Sequence, residues 1–186
     1  AFNIAPSMDI RINRLRASTI GTQTSFAEAS IQTKFLEGFS DGLQVESGVG
    51  DLRDWPGYKE GKWCVQDRSS QLVAPLLEAK PGERVLDACS APGSKTTHLA
   101  ELIANQGEIW AVDRSSARLK LVLENAKRLG AECIKILKAD SIDLLKIKPE
   151  WENYFHRILI DAPCSGIGTL SRHPDARWRI TPQRID

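Results

Sequence analysis

Residues 84–113 read RVLDACSAPGSKTTHLAELIANQGEIWAVD, and the order of signals in this stretch decides the fold. Arg84–Asp87 is a short apolar run bounded by a turn, which predicts a buried strand. A loop, Cys89–Ser94, opens a helix carrying Leu99, Leu102 and Ile103, and Asn105-Gln106-Gly107 closes it. Glu108–Asp113 then predicts a second strand. Strand, loop, helix and strand in this order form one βαβ unit, and such a unit implies parallel strands.

The same alternation continues outward. Ser115 or Ser116 caps a long helix with Leu119, Val122, Leu123, Ala126 and Leu129 on one stripe and Gly130 as its stop. Ile134–Leu137 and Arg157–Asp161 predict two more strands, separated by a polar helix and loop around Asp143–Tyr154. Upstream, Ser69 and Ser70 precede a short helix over Leu72–Leu77, interrupted by Pro75. The expectation is an α/β chain with a parallel, doubly wound sheet over residues 64–186, preceded over 1–63 by a small α+β module. Within that module Ile10–Arg16 predicts a strand with one charged face. Ser25 and Glu28 suggest a capping box for a helical face of Phe26, Ala29, Ile31, Phe35 and Leu36. Gly38–Gly61 reads as loop and short strand.

Composition sets the outer limits. The chain has 186 residues, 41% hydrophobic and 26% charged, which excludes disorder. No apolar run approaches the roughly 18 residues of a membrane span, and no secretion signal is read at the start. The net charge of +1 neither demands nor forbids nucleic acid. Cys64, Cys89, Cys133 and Cys164 are widely spaced, with no C-x-x-C pair, so neither a metal site nor a disulfide framework is expected. A cytoplasmic monomer without membrane contact is the expectation.

In such a sheet, ligands bind beyond the carboxyl ends of the strands. The four predicted ends carry Asp87, Asp113, Asp140 and Asp161. The first loop, Cys89-Ser90-Ala91-Pro92-Gly93-Ser94-Lys95, contains a glycine that permits close backbone approach and leads into a helix with free N–H groups. Asp113 follows Gly93 by 20 residues, the spacing at which a carboxylate accepts from ribose hydroxyls. The dinucleotide fingerprint is absent, and Gly93-Ser94-Lys95-Thr96 matches only the end of a P-loop. A nucleoside without a phosphate chain therefore fits better, S-adenosyl-L-methionine being the common one. Asp140 is placed to reach the adenine end. At the fourth strand end, Asp161-Ala162-Pro163-Cys164-Ser165-Gly166 sets a thiol beside the expected methyl donor, where it could add to C6 of a pyrimidine. Cys89 is read as lining the pocket.

Val65–Ala74 (VQDRSSQLVA), VLDACSAPGSKTTHLAE, AVDRS, the KADS around Asp140 and LIDAPCSGIGTLSRHPDARW together closely resemble RNA (cytosine-5) methyltransferases, in particular the Sun-type bacterial small-subunit ribosomal RNA methyltransferase B group. The segment RINRLR is similar to the start of the small RNA-binding module of that family. The resemblance implies a Rossmann-like class I methyltransferase fold and methyl transfer to C5 of cytosine in RNA, 16S ribosomal RNA being the expected substrate. It implies that Cys89, Ser90, Ala91, Pro92, Gly93, Ser94 and Lys95 form the cofactor loop, that Asp113 holds the ribose and that Asp140 sits at the adenine. Asp161 would lie near the methionine end and the target base. Cys164 would act in product release, the attacking cysteine lying in a later Thr-Cys motif that these 186 residues do not contain. A C-terminally truncated, inactive sheet is therefore expected. Ser94 stands where the family pattern more often has glycine.

Arginine excess at both ends, Arg11, Arg14 and Arg16 and then Arg172, Arg177, Arg179 and Arg184 around His173 and Trp178, suggests RNA contact. Two alternatives stay open: a noncatalytic RNA-binding protein on a truncated methyltransferase scaffold, and a methyltransferase acting on a small molecule or protein.

Overall fold

The structure is a computed structural model that describes residues 8–162. Its first layer is antiparallel. Strands β1 (Met8–Ile12), β2 (Gln32–Phe35), β3 (Gly42–Ser47) and β4 (Trp63–Val65) pair in the order β2-β3-β1-β4, with helix α1 (Thr19–Glu28) packed on one face. The sheet thus runs across the boundary expected at residue 63. Ile10 and Ile12 point into a core with Phe26, Ile31, Leu43, Trp55 and Trp63. Phe26 meets Trp55 and Trp63 edge to face at centroid distances of 5.8 and 5.5 Å, an arrangement favoured by the ring quadrupoles.

Three expectations for this layer need correction. The first strand stops at Ile12 rather than Arg16, because Asn13 turns the chain by accepting the Leu15 N–H at 3.0 Å. Ser25 and Glu28 form no capping box. The helix starts at Thr19, its cap is Ser18, which accepts the Gly21 N–H, and the Ser25 hydroxyl donates back to the Gly21 carbonyl. Ile31 and Phe35 lie beyond the helix, and Phe35 is exposed on β2.

The second layer is parallel. After α2 (Arg68–Gln71) and a single 3-10 turn at Pro75–Leu77 come β5 (Arg84–Asp87), α3 (Ser94–Leu102), β6 (Glu108–Asp113), α4 (Ser116–Leu129), β7 (Ile134–Lys138), α5 (Leu144–Ile147) and β8 (Arg157–Leu159). The cap of α2 is Asp67, so Ser69 and Ser70 sit inside the helix instead of preceding it. The strand order is β7-β6-β5-β8, all neighbours parallel. The chain enters at β5, steps outward to β6 and β7, and returns to the opposite flank as β8. The order reverses beside β5, and a reversal opens a crevice at the strands' carboxyl ends. Val85, Ile109 and Leu159 face α3 and α4 through Leu99, Ala100, Ile103 and Ala126. Leu86 and Val112 face the other way, onto Leu144 and Trp151. The segment read as polar around Asp143–Tyr154 therefore buries Leu144 and Trp151 under the sheet. No helix among the described residues is long and apolar enough to cross a membrane.

The two layers are joined through polar groups. Along β1, Asp9 and Arg11, then Asn13 just past its end, alternate with the core isoleucines, and all three are buried. The face read as charged is packed against α3 and α4. Asp9 pairs with Arg68, Oδ2 to Nε at 2.8 Å. Asn13 Nδ2 donates to the carbonyls of Gly61 and Leu129 at 2.8 and 2.7 Å. Arg128, in the last turn of α4, donates to the carbonyls of Tyr58 and Trp63 and lies 4.2 Å over the Tyr58 ring.

Gly61 is the tightest point of this joint. It has a φ of +67°, and a Cβ there would lie 1.8 Å from the Arg128 carbonyl oxygen. Gly50 has a φ of +87° but open space around it. Gly50→Ala is therefore expected to cost only the left-handed backbone penalty, about 1 kcal/mol. Gly61→Ala must also part the two layers, at about 3 kcal/mol or more. Urea unfolding of both variants checks the difference; equal losses would remove Gly61 from the joint.

Candidate cofactor site

The loop after β5 is built mainly from its own backbone. Ser90 donates to the Val112 carbonyl through both its N–H (2.9 Å) and its hydroxyl (3.1 Å), which ties the loop to the end of β6. Gly93 N–H closes the turn onto the Ser90 carbonyl at 2.8 Å. The Ala91–Pro92 bond is cis, and the carbonyls on either side of it accept from Arg118 (2.8 Å) and Asn125 (3.0 Å) of α4. Gly93 has a φ of +101°, and a Cβ would press on Val122 at 3.1 Å. Its glycine is thus needed for helix packing as well as for the turn. Helix α3 follows with no side chain among the described residues capping its first N–H groups, which leaves donors and the positive end of the dipole at the loop.

The strand-end carboxylates gather around this loop. Asp87 is 1% exposed; its Oδ2 accepts from Thr96 Oγ1 at 2.7 Å, while Oδ1 has no partner among the described residues. Burial raises its pKa to about 6, against the pull of the Thr96 hydroxyl, the Cys89 backbone and Lys95. Asp113 is nearly buried, accepts the Ser115 N–H at 2.8 Å and lies 3.4 Å from the Arg118 guanidinium. Asp140 caps the turn after β7 through the Ile142 N–H and stands 3.9 Å from Arg114. Its neighbour Ser141 hydrogen-bonds the Ala88 carbonyl. Asp161 pairs with Lys95 at 2.6 Å.

These contacts bring Cys89, Gly93, Ser94, Lys95, Asp113, Asp140 and Asp161 to one edge of the sheet. Ser90 and Ala91 are also there but buried, and the Ser90 side chain is consumed by the loop. The Cys89 thiol reports the convergence: burial raises its pKa first, and Asp87, Asp113 and Asp161 all add to the rise, with Arg114 opposing. Cys164 and the arginines from Arg172 onward lie outside the described residues. Of the N-terminal arginines assigned to RNA, Arg11 is buried and cannot touch it, a correction. Arg14 and Arg16 are exposed, but Arg14 pairs with Asp41 and Arg16 donates to the Glu60 carbonyl.

Sequence reasoning passed over Thr96, Arg114, Arg118 and Ser141. A usable signal was available for the arginines. Cations are disfavoured at helix N-termini, yet Arg114 and Arg118 flank the start of α4, which has no acidic residue in its first turn. Such a violation points to carboxylates nearby.

The open positions suit an adenosyl amino acid. Asp113 has used only part of its acceptor capacity, the α3 terminus offers N–H groups to a carboxylate, and Asp87 Oδ1 is an acceptor without a donor among the described residues.

Comparison with solved structures assigns the class. A structure described as PH0851 superposes with a TM-score of 0.92 at 33% identity, covering 99% of this chain and 41% of that one. A methyltransferase homolog from Pyrococcus horikoshii gives 0.80 at 30% identity, covering 94% and 56%. The fold is that of a Rossmann-like methyltransferase. Among curated proteins, the chain is 45% identical over 184 residues to the probable ribosomal RNA small subunit methyltransferase B of Synechocystis sp.. It is 42% identical over 179 residues to ribosomal RNA small subunit methyltransferase B of Pseudomonas putida. It covers 99% and 95% of itself in these matches, and spans 41% and 40% of the two relatives' lengths. The profile of the 16S rRNA methyltransferase RsmB/F family matches residues 74–186, and the chain belongs to that family.

Asp87 makes the site's stability pH-dependent. Because its pKa rises from 3.8 to about 6 on folding, the folded state takes up a proton between those values. The associated stability is complete below about pH 4 and is lost as pH rises through about 6. Asp87→Asn removes this linkage. The variant's stability relative to wild type is therefore expected to improve between pH 4 and pH 7 by up to about 3 kcal/mol. Urea titrations at both pH values check this; an unchanged difference would return Asp87 to an ordinary carboxylate.

Proposed function

We propose that this chain carries the cofactor half of an S-adenosylmethionine-dependent methyltransferase that modifies C5 of cytosine in ribosomal RNA of the small subunit, in the cytoplasm. The observation that carries this reading is the meeting of four strand-end loops beside β5, in a chain of the RsmB/F family. When bound, S-adenosylmethionine supplies an electrophilic methyl group on a sulfonium. The names of the curated relatives, ribosomal RNA small subunit methyltransferase B, support ribosomal RNA as the substrate class.

Each residue then has a task. The first N–H groups of α3 and Asp87 Oδ1 would take the carboxylate and ammonium of the amino acid. Asp113 would accept from the ribose hydroxyls, held in aim by Ser115 and Arg118. Asp140 and its turn would border the adenine. Lys95 fixes Asp161 at the adjoining strand end, where a carboxylate can hydrogen-bond the exocyclic amine of a flipped cytosine. Cys164, three residues beyond Asp161, is assigned to release of the methylated base, which calls for the elimination half of a covalent addition at C6.

Two measurements test the reading. Calorimetry should detect S-adenosylhomocysteine binding to the whole protein containing this chain, and Asp113→Ala should weaken it about 10-fold to 100-fold, the loss of one or two hydrogen bonds to a charged group. The whole protein containing this chain should transfer tritiated methyl groups to unmodified 16S rRNA, and the product should digest to 5-methylcytidine. Label in another nucleoside, or no dependence on Asp113, would sink the proposal.

A further inference from the structure

Of the groups assigned above to the cofactor, Arg11 touches Ser94 through its carbonyl, and its guanidinium spans two turns of the helix that begins at the cofactor loop. Nη1 donates to the Ser94 carbonyl at 2.8 Å and Nη2 to Thr97 Oγ1 at 3.2 Å. Nη2 and Nε bind the two carboxylate oxygens of Glu101 at 2.7 and 3.1 Å. Ser94, Thr97 and Glu101 share one stripe of α3. The remaining donor of Nη1 goes to Gln66 Oε1, just past β4. Both members of the Arg11–Glu101 pair have side chains 1% exposed.

The opposite side of the same turn is also held. Gly93 lies against Val122, where a Cβ would come within 3.1 Å, and no side chain among the described residues caps α3. The first turn of α3 thus rests between α4 on one side and a single arginine from another layer on the other.

We propose that Arg11 is a positioning residue for the cofactor site. Through the Ser94 carbonyl and the two-pronged contact with Glu101, it sets the depth at which Gly93, Ser94 and Lys95 meet S-adenosylmethionine. The antiparallel layer then acts on cofactor affinity and not only on RNA. This inference rests on the cofactor reading proposed above.

The test separates positioning from mere support of the fold. Arg11→Met combined with Glu101→Leu removes both charges, a change that well-packed proteins tolerate, but takes the guanidinium donor from the Ser94 carbonyl, which keeps the longer bond from the Thr97 hydroxyl at 3.2 Å. Arg11→Lys keeps the charge and loses the planar fork. Thermal melting and calorimetric titration with S-adenosylhomocysteine are measured on all forms of the whole protein containing this chain, with binding of an unmodified 16S rRNA fragment alongside. The double variant should melt within a few degrees of wild type and bind S-adenosylhomocysteine about tenfold more weakly. Arg11→Lys should fall between them, and RNA affinity should not change. Wild-type cofactor affinity in either variant, or a loss confined to RNA, overturns the role of Arg11 alone. Failure of wild type itself to bind S-adenosylhomocysteine overturns the cofactor reading, and this inference with it.

Discussion

A guanidinium withdrawn from water is tolerated only when its N–H groups find acceptors and its charge finds a partner. Arg11 meets that condition with groups drawn from two places, α3 and the segment after β4. The two layers therefore cannot be assembled independently and then left to drift. Truncating one member of such a pair costs about 3–5 kcal/mol, because the other is stranded, whereas exchanging both for apolar groups is often neutral. Burial raises the pKa of Glu101 to about 7 even beside this cation. The contact is thus a constraint on geometry more than a source of stability.

Around it the joint is made of backbone carbonyls. Asn13 and Arg128 both donate to main-chain oxygens across the boundary. Main-chain acceptors move only if their elements move, so each bond fixes a helix end or a loop rather than a mobile side chain. The carboxyl edge of the parallel sheet inherits that rigidity. Its own ties, from Ser90 to Val112, Arg118 to Ala91 and Lys95 to Asp161, add links between successive strand ends.

Much of the parallel layer was legible in the sequence because its signals are local. Glu108–Asp113 and the helix from Ser115 to Gly130 coincide with β6, α4 and the caps of α4, where a hydroxyl starts and a left-handed glycine stops an amphipathic stripe. The antiparallel layer was misread for physical reasons. Helix α1 buries only Thr22 and Phe26, so it carries almost no apolar period, and its true cap, Ser18, has nothing hydrophobic to announce it. Alternating Ile10, Arg11 and Ile12 look like a half-exposed strand. No local pattern shows that Glu101, ninety residues on, will meet the arginine. At the site, the four aspartates were found from strand ends, a topological argument. Thr96 and Ser141 were missed because a hydroxyl's partner depends on tertiary placement.

Cys89 illustrates what that crowd of acids does to a neighbour. Encircled by three carboxylates and partly shielded from solvent, it stays in the neutral, poorly nucleophilic form at physiological pH. Oxidants and alkylating agents that seek out ionised sulfur will pass it by. A protein proposed to use another sulfur, three residues past Asp161, thus keeps Cys89 out of that chemistry without having to discard it.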